Sequence, residues 1–161
     1  MKECSPYFFK QIVTELLERM GYGIGKTTKK SHDGGIDGII TADKLGLSEL
    51  YIQAKRFSNT VPTSYVKEFI GTIQTTKTKT GVFITSGIIA SNANDFILKS
   101  GLNIQLVDGE KLSDLLYEYD IGLEVKIKPI KYIDEHFFEE EVIPSKTPRE
   151  YELYYNRPYD Y

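Results

Sequence analysis

Cysteine, histidine and tryptophan are scarce in this chain. Its 161 residues include one cysteine, Cys4, two histidines, His32 and His136, and no tryptophan. An internal disulfide framework is therefore excluded, as is a structural zinc site built from Cys and His. Missing disulfides suit a reducing compartment, so a cytoplasmic protein is expected. There is also no uninterrupted apolar run of about 18 residues and no basic, apolar leader, so neither a membrane span nor a secretory signal is expected. A chain of this length buries about two-thirds of its unfolded surface, enough for one domain without covalent staples.

A large excess of either charge is missing too. Twenty basic and 23 acidic residues give −3, which taken whole argues mildly against a nucleic-acid partner. The average hides an asymmetry. Residues 131–161 hold 4 basic and 8 acidic groups, whereas residues 26–80 hold 9 basic and 5 acidic. The local +4 surrounds the chemically interesting positions.

The periodicity predicts a helix over 5–20, capped by Ser5 with Pro6 in its first turn and stopped by Gly21. Phe9, Ile12, Val13, Leu16, Leu17 and Met20 form its apolar face. An edge strand or extended run follows over 22–30. Asp33-Gly34-Gly35 reads as a turn, Ile36–Thr41 as a strand, Asp43–Gly46 as a second turn and Leu47–Phe57 as the partner strand. On that partner Leu50, Ile52 and Ala54 share one face, and Tyr51, Gln53 and Lys55 the other.

A helix over Ser64–Thr76 turns Val66, Phe69, Ile70 and Ile73 inward. Val82–Thr85 and Ile104–Val107 read as strands, Ser91 as the cap of a helix ending at Lys99, and Asp108 as the lead into a further helix. Leu123, Val125 and Ile127 alternate with charged residues as in a half-solvated strand. The order implies an α/β fold, a mixed central sheet flanked by helices. Residues 1–130 read as the core and 131–161 as an acidic, aromatic-rich appendage.

"GIGKTT" at 23–28 looks like the end of a phosphate-binding loop but fails as one. Its first glycine would have to be residue 20, which is Met20, and the segment follows a helix rather than a strand. Asp37, Gln53 and Lys55 are the better constellation. A divalent cation bound by hard oxygen donors needs a carboxylate, an amide oxygen, a main-chain carbonyl and waters; Asp37, Gln53 and the Ala54 carbonyl supply the first three. Lys55 can then orient an attacking water and stabilise charge developing on a phosphate. From spacing alone, a solvated strand face with ordinary surface contacts explains the same residues.

The ordered segments "YFFKQIVTELLERMGY", "DGGIDGII", "YIQAKRF", "GVFITSG", "IQLVDGEKLSDLL" and "YDIGLEVKIKPI" resemble the catalytic domain of Mrr-type restriction endonucleases, members of the PD-(D/E)xK nuclease superfamily. The resemblance covers roughly residues 6–141. It implies a restriction-endonuclease-like core and a Mg²⁺-dependent (or Mn²⁺-dependent) DNA endonuclease. Asp37, Gln53 and Ala54 would then hold the metal and Lys55 would assist the water; Gln in place of the superfamily acid is a variation of this subgroup.

The first helix departs from the family pattern. Phe9-Lys10 stands where many relatives carry Phe-Glu, and Glu15 remains as an auxiliary acid. Lys29, Lys30, Arg56 and Lys67 are candidates for backbone phosphate contacts, which position DNA without reading it. Asp33 and His32 are weaker candidates, Thr85 and Ser86 are expected to cap a turn, and Gln74 reads as a solvated helix residue.

The expected partner is double-stranded DNA, with a homodimer and a separate recognition domain or subunit left open. Relatives act in restriction, several on modified DNA. The competing readings are a catalytically weak or inactive DNA-binding module on the same fold and a nuclease of branched DNA.

Overall fold

The computed structural model describes residues 4–27 and 35–135. Helix α1 spans Pro6–Arg19, with the Ser5 hydroxyl accepting the Phe8 N–H at 3.1 Å and Pro6 in the first turn. Strand β1 (Ile24–Thr27) follows, then β2 (Gly38–Thr41), β3 (Glu49–Lys55), the two-residue β4 (Thr60–Val61) and helix α2 (Thr63–Thr75). Strand β5 (Thr80–Thr85), β6 (Ile88–Ile89), helix α3 (Ala93–Ser100), β7 (Asn103–Val107) and helix α4 (Gly109–Glu118) complete the order.

The main sheet runs β1-β2-β3-β5-β7. β1, β2 and β3 form an antiparallel meander, whereas β3, β5 and β7 are parallel and are joined by helical crossovers. β4 and β6 make a separate parallel pair. This is the mixed sheet between helices that the element order implied.

Two apolar clusters explain the layering. α1 and α4 bury Phe9, Val13, Leu16, Leu17 and Leu112 against Ile40, Ile52, Ala54, Val82, Ile84 and Val107. On the opposite face α2 and α3 bury Val66, Phe69, Ile70, Ile73, Ala93 and Ile97 against Tyr51, Phe83, Ile104 and Leu106. Phe9, Phe69 and Phe83 are fully buried, and each stabilises the fold by about 1.5–3 kcal/mol. The middle of β3 is covered on both sides, so Gln53 sits in the interior and not on a solvated face, while Glu49 and Lys55 at its ends are partly exposed. Among the described residues, no helix is long and apolar enough to cross a membrane.

Several expectations change. β2 begins at Gly38 and β3 ends at Lys55, so Asp37 precedes its strand while still donating its N–H to the Ile52 carbonyl at 2.7 Å. The cap of α3 is Asn92 rather than Ser91, and it makes no side-chain cap bond. Residues 123–128 form no strand: their alternation supplies the side-chain period, but they join no sheet ladder among the described residues. The chain divides into a unit ending at Val125 and another beginning at Lys126.

The β2–β3 turn is built on Asp43. Its Oδ1 accepts the N–H groups of Leu45 and Leu47 at 2.8 and 3.1 Å, and Oδ2 accepts that of Ser48 at 2.5 Å. The Leu47 and Ser48 N–H groups hold its carboxyl below the usual value, because they favour the charged form. A depressed folded pKa contributes stability above the unfolded value of about 4, lost as pH falls through the folded pKa. Urea midpoints of wild type and Asp43→Asn should therefore differ most near neutral pH and converge in acid.

Candidate active site

Asp37 is held in a narrow setting at the mouth of the meander. Its side chain is 11% exposed, with Oδ2 accepting the Ala54 N–H at 2.9 Å. Oδ1 faces the Lys10 ammonium of α1 at 2.5 Å. In a strand the N–H and C=O of one residue point the same way, so the Ala54 carbonyl lies on the side of β3 that faces Asp37.

Gln53, beside Ala54, is fully buried, and neither Oε1 nor Nε2 has a hydrogen-bond partner among the described residues. Leaving such a group unsatisfied costs about 1–3 kcal/mol. Gly35 packs onto this amide: a Cβ there would lie 2.5 Å from Nε2, and its φ of +86° favours glycine independently. The second glycine of "DGG" is thus fixed by proximity to Gln53 as well as by the turn.

Lys55 closes β3, level with Thr85 on β5. Its ammonium lies 5.3 Å from the centre of the Tyr65 ring, on the first turn of α2. Phe57 packs against Tyr65 with ring centres 5.3 Å apart, inclined by 59°. Beyond Lys55 the strand ends, but Ser86 grips the chain: its hydroxyl donates to the Phe57 carbonyl at 2.9 Å and accepts the Phe57 N–H at 3.1 Å. Thr85 is fully buried and accepts the Gly87 N–H at 3.0 Å, so both residues brace the turn as expected.

The remaining candidates are dispersed. Glu15 is half-exposed and pairs with Arg19 one turn on, at 2.9 Å. The face of α1 that runs along β1 and β2 instead carries Lys10, Thr14 and Glu18, the last accepting the Gly25 N–H at 2.6 Å. Arg56 is exposed directly after β3. Lys67 is exposed on α2, its ammonium 4.2 Å from the centre of the Phe96 ring. Lys29, Lys30, His32 and Asp33 lie outside the described residues, and Gln74 is exposed on α2.

Sequence reasoning missed the direct contact of Lys10 with Asp37 and the roles of Tyr65 and Gly35. The Phe9-Lys10 departure was the one signal for the first.

Among the described residues, no three His, Cys, Asp or Glu side chains gather into a metal cluster. The candidate donors have another composition: the Asp37 carboxylate, the Ala54 carbonyl on the side of β3 that faces it, and the amide of the adjacent Gln53. Their chemistry fits a hard divalent cation, because the buried Gln53 oxygen is a donor to which none of the described residues offers a hydrogen.

An α/β/α sandwich with an acid before β2 and Gln-x-Lys on β3 defines a restriction-endonuclease-like domain. The sequence profile of the Mrr catalytic domain, a restriction endonuclease family, matches residues 1–116. The chain is 40% identical over 141 residues to the type IV methyl-directed restriction enzyme EcoKMrr of Escherichia coli strain K12. That alignment covers 85% of this chain and 46% of the enzyme. Among solved structures, the DNA modification-dependent restriction endonuclease AspBHI matches with a TM-score of 0.58. This match has 20% identity and covers 74% of this chain and 33% of that one, a likeness of fold. The chain belongs to the Mrr-type restriction endonuclease family, and it spans about half the length of its curated relative.

Proposed function

We propose that this chain is a Mg²⁺-dependent DNA endonuclease domain that hydrolyses phosphodiester bonds in DNA restriction, with modified DNA as its target. The reading rests on Asp37 bonded to the main chain of Ala54, whose neighbour Gln53 has a buried amide with no partner among the described residues. EcoKMrr, by its description, is methyl-directed, which supports modified DNA as the substrate class.

Asp37, the Gln53 Oε1 and the Ala54 carbonyl would hold the cation. When bound, such a cation lowers the pKa of a water and offsets charge on the phosphate. The Ala54 N–H keeps the Asp37 carboxylate turned toward the site. Lys55, steadied by Tyr65, orients the attacking water and donates hydrogen bonds to the phosphate oxygens as their charge grows. Arg56 and Lys67, with Lys29 and Lys30, bind backbone phosphates, so DNA affinity falls with added salt. Cutting both strands calls for two such sites, which a homodimer supplies; target choice falls to a separate recognition domain or subunit.

The test is cleavage of methylated, unmodified and branched DNA with Mg²⁺ or Mn²⁺. Wild type should cut methylated DNA, and Lys55→Ala should cut it about 100-fold more slowly or worse. Absence of metal-dependent cutting on every substrate would overturn the enzymatic reading. One observation favours a catalytically weak DNA-binding module instead: the Lys10 ammonium already sits on Asp37. Salt-sensitive binding of DNA without cleavage would establish that reading.

A further inference from the structure

We propose that Lys10 is a built-in counter-ion of Asp37 that a divalent cation must displace, so that this chain takes up metal only above a threshold set by its first helix. The inference rests on the metal-site reading above and adds a determinant on an element that contributes no donor.

The two Asp37 oxygens are not equivalent. Oδ2 is engaged by the Ala54 N–H, while Oδ1 is directed at α1 and meets the Lys10 ammonium. A cation bound by Asp37 with Gln53 and Ala54 competes for this carboxylate. It cannot share the site with an ammonium at contact distance without repulsion between like charges.

The pairing has structural backing. Phe9, next to Lys10, is fully buried, and the Lys10 carbonyl accepts the Thr14 hydroxyl at 3.0 Å, which fixes the root of the side chain. The lysine stem is flexible and its side chain is 25% exposed, so the ammonium can leave for water when displaced. An acidic side chain at this position would act in the opposite sense, adding a negative charge beside the cation. Lys10 therefore makes metal uptake costlier, and it leaves Asp37 neutralised in the absence of metal.

Metal binding is read directly from the electron paramagnetic resonance signal of free Mn²⁺ titrated with the full chain, without DNA. The proteins are wild type, Lys10→Gln, Lys10→Met, Lys10→Arg and Asp37→Asn. Removing the charge should tighten Mn²⁺ binding by about tenfold in Lys10→Gln and Lys10→Met, the scale of one charge-assisted hydrogen bond. Lys10→Arg keeps the charge and should bind no more tightly than wild type. Lys10→Gln retains a hydrogen-bond donor to Asp37, which guards against a folding failure in Lys10→Met.

The addition of Mn²⁺ should also raise the melting temperature of Lys10→Gln more than that of wild type. If both neutral variants bind Mn²⁺ as wild type does, or more weakly, while Asp37→Asn has lost binding, the counter-ion proposal is overturned and the metal site stands. If Asp37→Asn binds as wild type, or if no variant binds, the metal-site reading itself fails and takes this inference with it.

Discussion

Asp37→Asn is expected to slow metal-dependent DNA cleavage by about a thousandfold or more while leaving the protein folded. The amide oxygen of Asn can still accept the Ala54 N–H, so the joint between the approach to β2 and the end of β3 survives. What disappears is the one negative charge of the proposed donor set, which neither the Gln53 amide nor the Ala54 carbonyl replaces. Lys10 is left facing a neutral group, at a cost of about 1 kcal/mol, because its partly exposed ammonium can turn to water. Single-turnover cleavage rates and thermal melts measure the two effects separately. A rate within tenfold of wild type would remove Asp37 from the centre of the mechanism.

Gln53→Leu should move stability and activity in opposite directions. The wild-type side chain is fully buried with both polar atoms unpartnered among the described residues, so it loses hydration without a compensating bond. Replacing it with an apolar group of similar size removes that penalty and should stabilise the domain by about 1–3 kcal/mol in the presence of a chelator. Cleavage should fall to background, because a proposed oxygen donor is gone. In excess Mg²⁺ the stability gap should narrow, since only wild type gains from binding. Guanidinium midpoints with and without metal decide the matter. A variant less stable than wild type in chelator would show that Gln53 is a structural residue whose amide is satisfied in solution.

The parts of the molecule legible in the sequence are those where local rules and burial agree. Ser5 and Pro6 announce α1, Asp108 caps α4 by accepting the Lys111 N–H at 3.0 Å, and the inward faces of α1 and α2 follow their periodicity. The shared face of Tyr51, Gln53 and Lys55 was also readable. What periodicity could not supply was the cover over that face: α2 turns what reads as a solvated surface into core, and so makes Gln53 chemically unusual.

The short β4 and β6 were missed because two residues carry too little pattern, and each exists only through the other. Residues 123–128 failed in the opposite way, with a clear pattern that joins no sheet ladder among the described residues. The contact of Lys10 with Asp37 joins positions far apart in the chain, and no spacing rule connects them.

The proposed metal donors and the assisting lysine all fall within residues 37–55, a single hairpin closed by the Asp43 turn. Lys10 reaches this hairpin from a different segment. The proposed chemistry therefore sits in one short stretch of chain, whereas the lysine proposed to oppose the cation belongs to a separate element. On that proposal, a substitution on α1 alone would change how readily this chain responds to metal, with the proposed reacting groups left untouched.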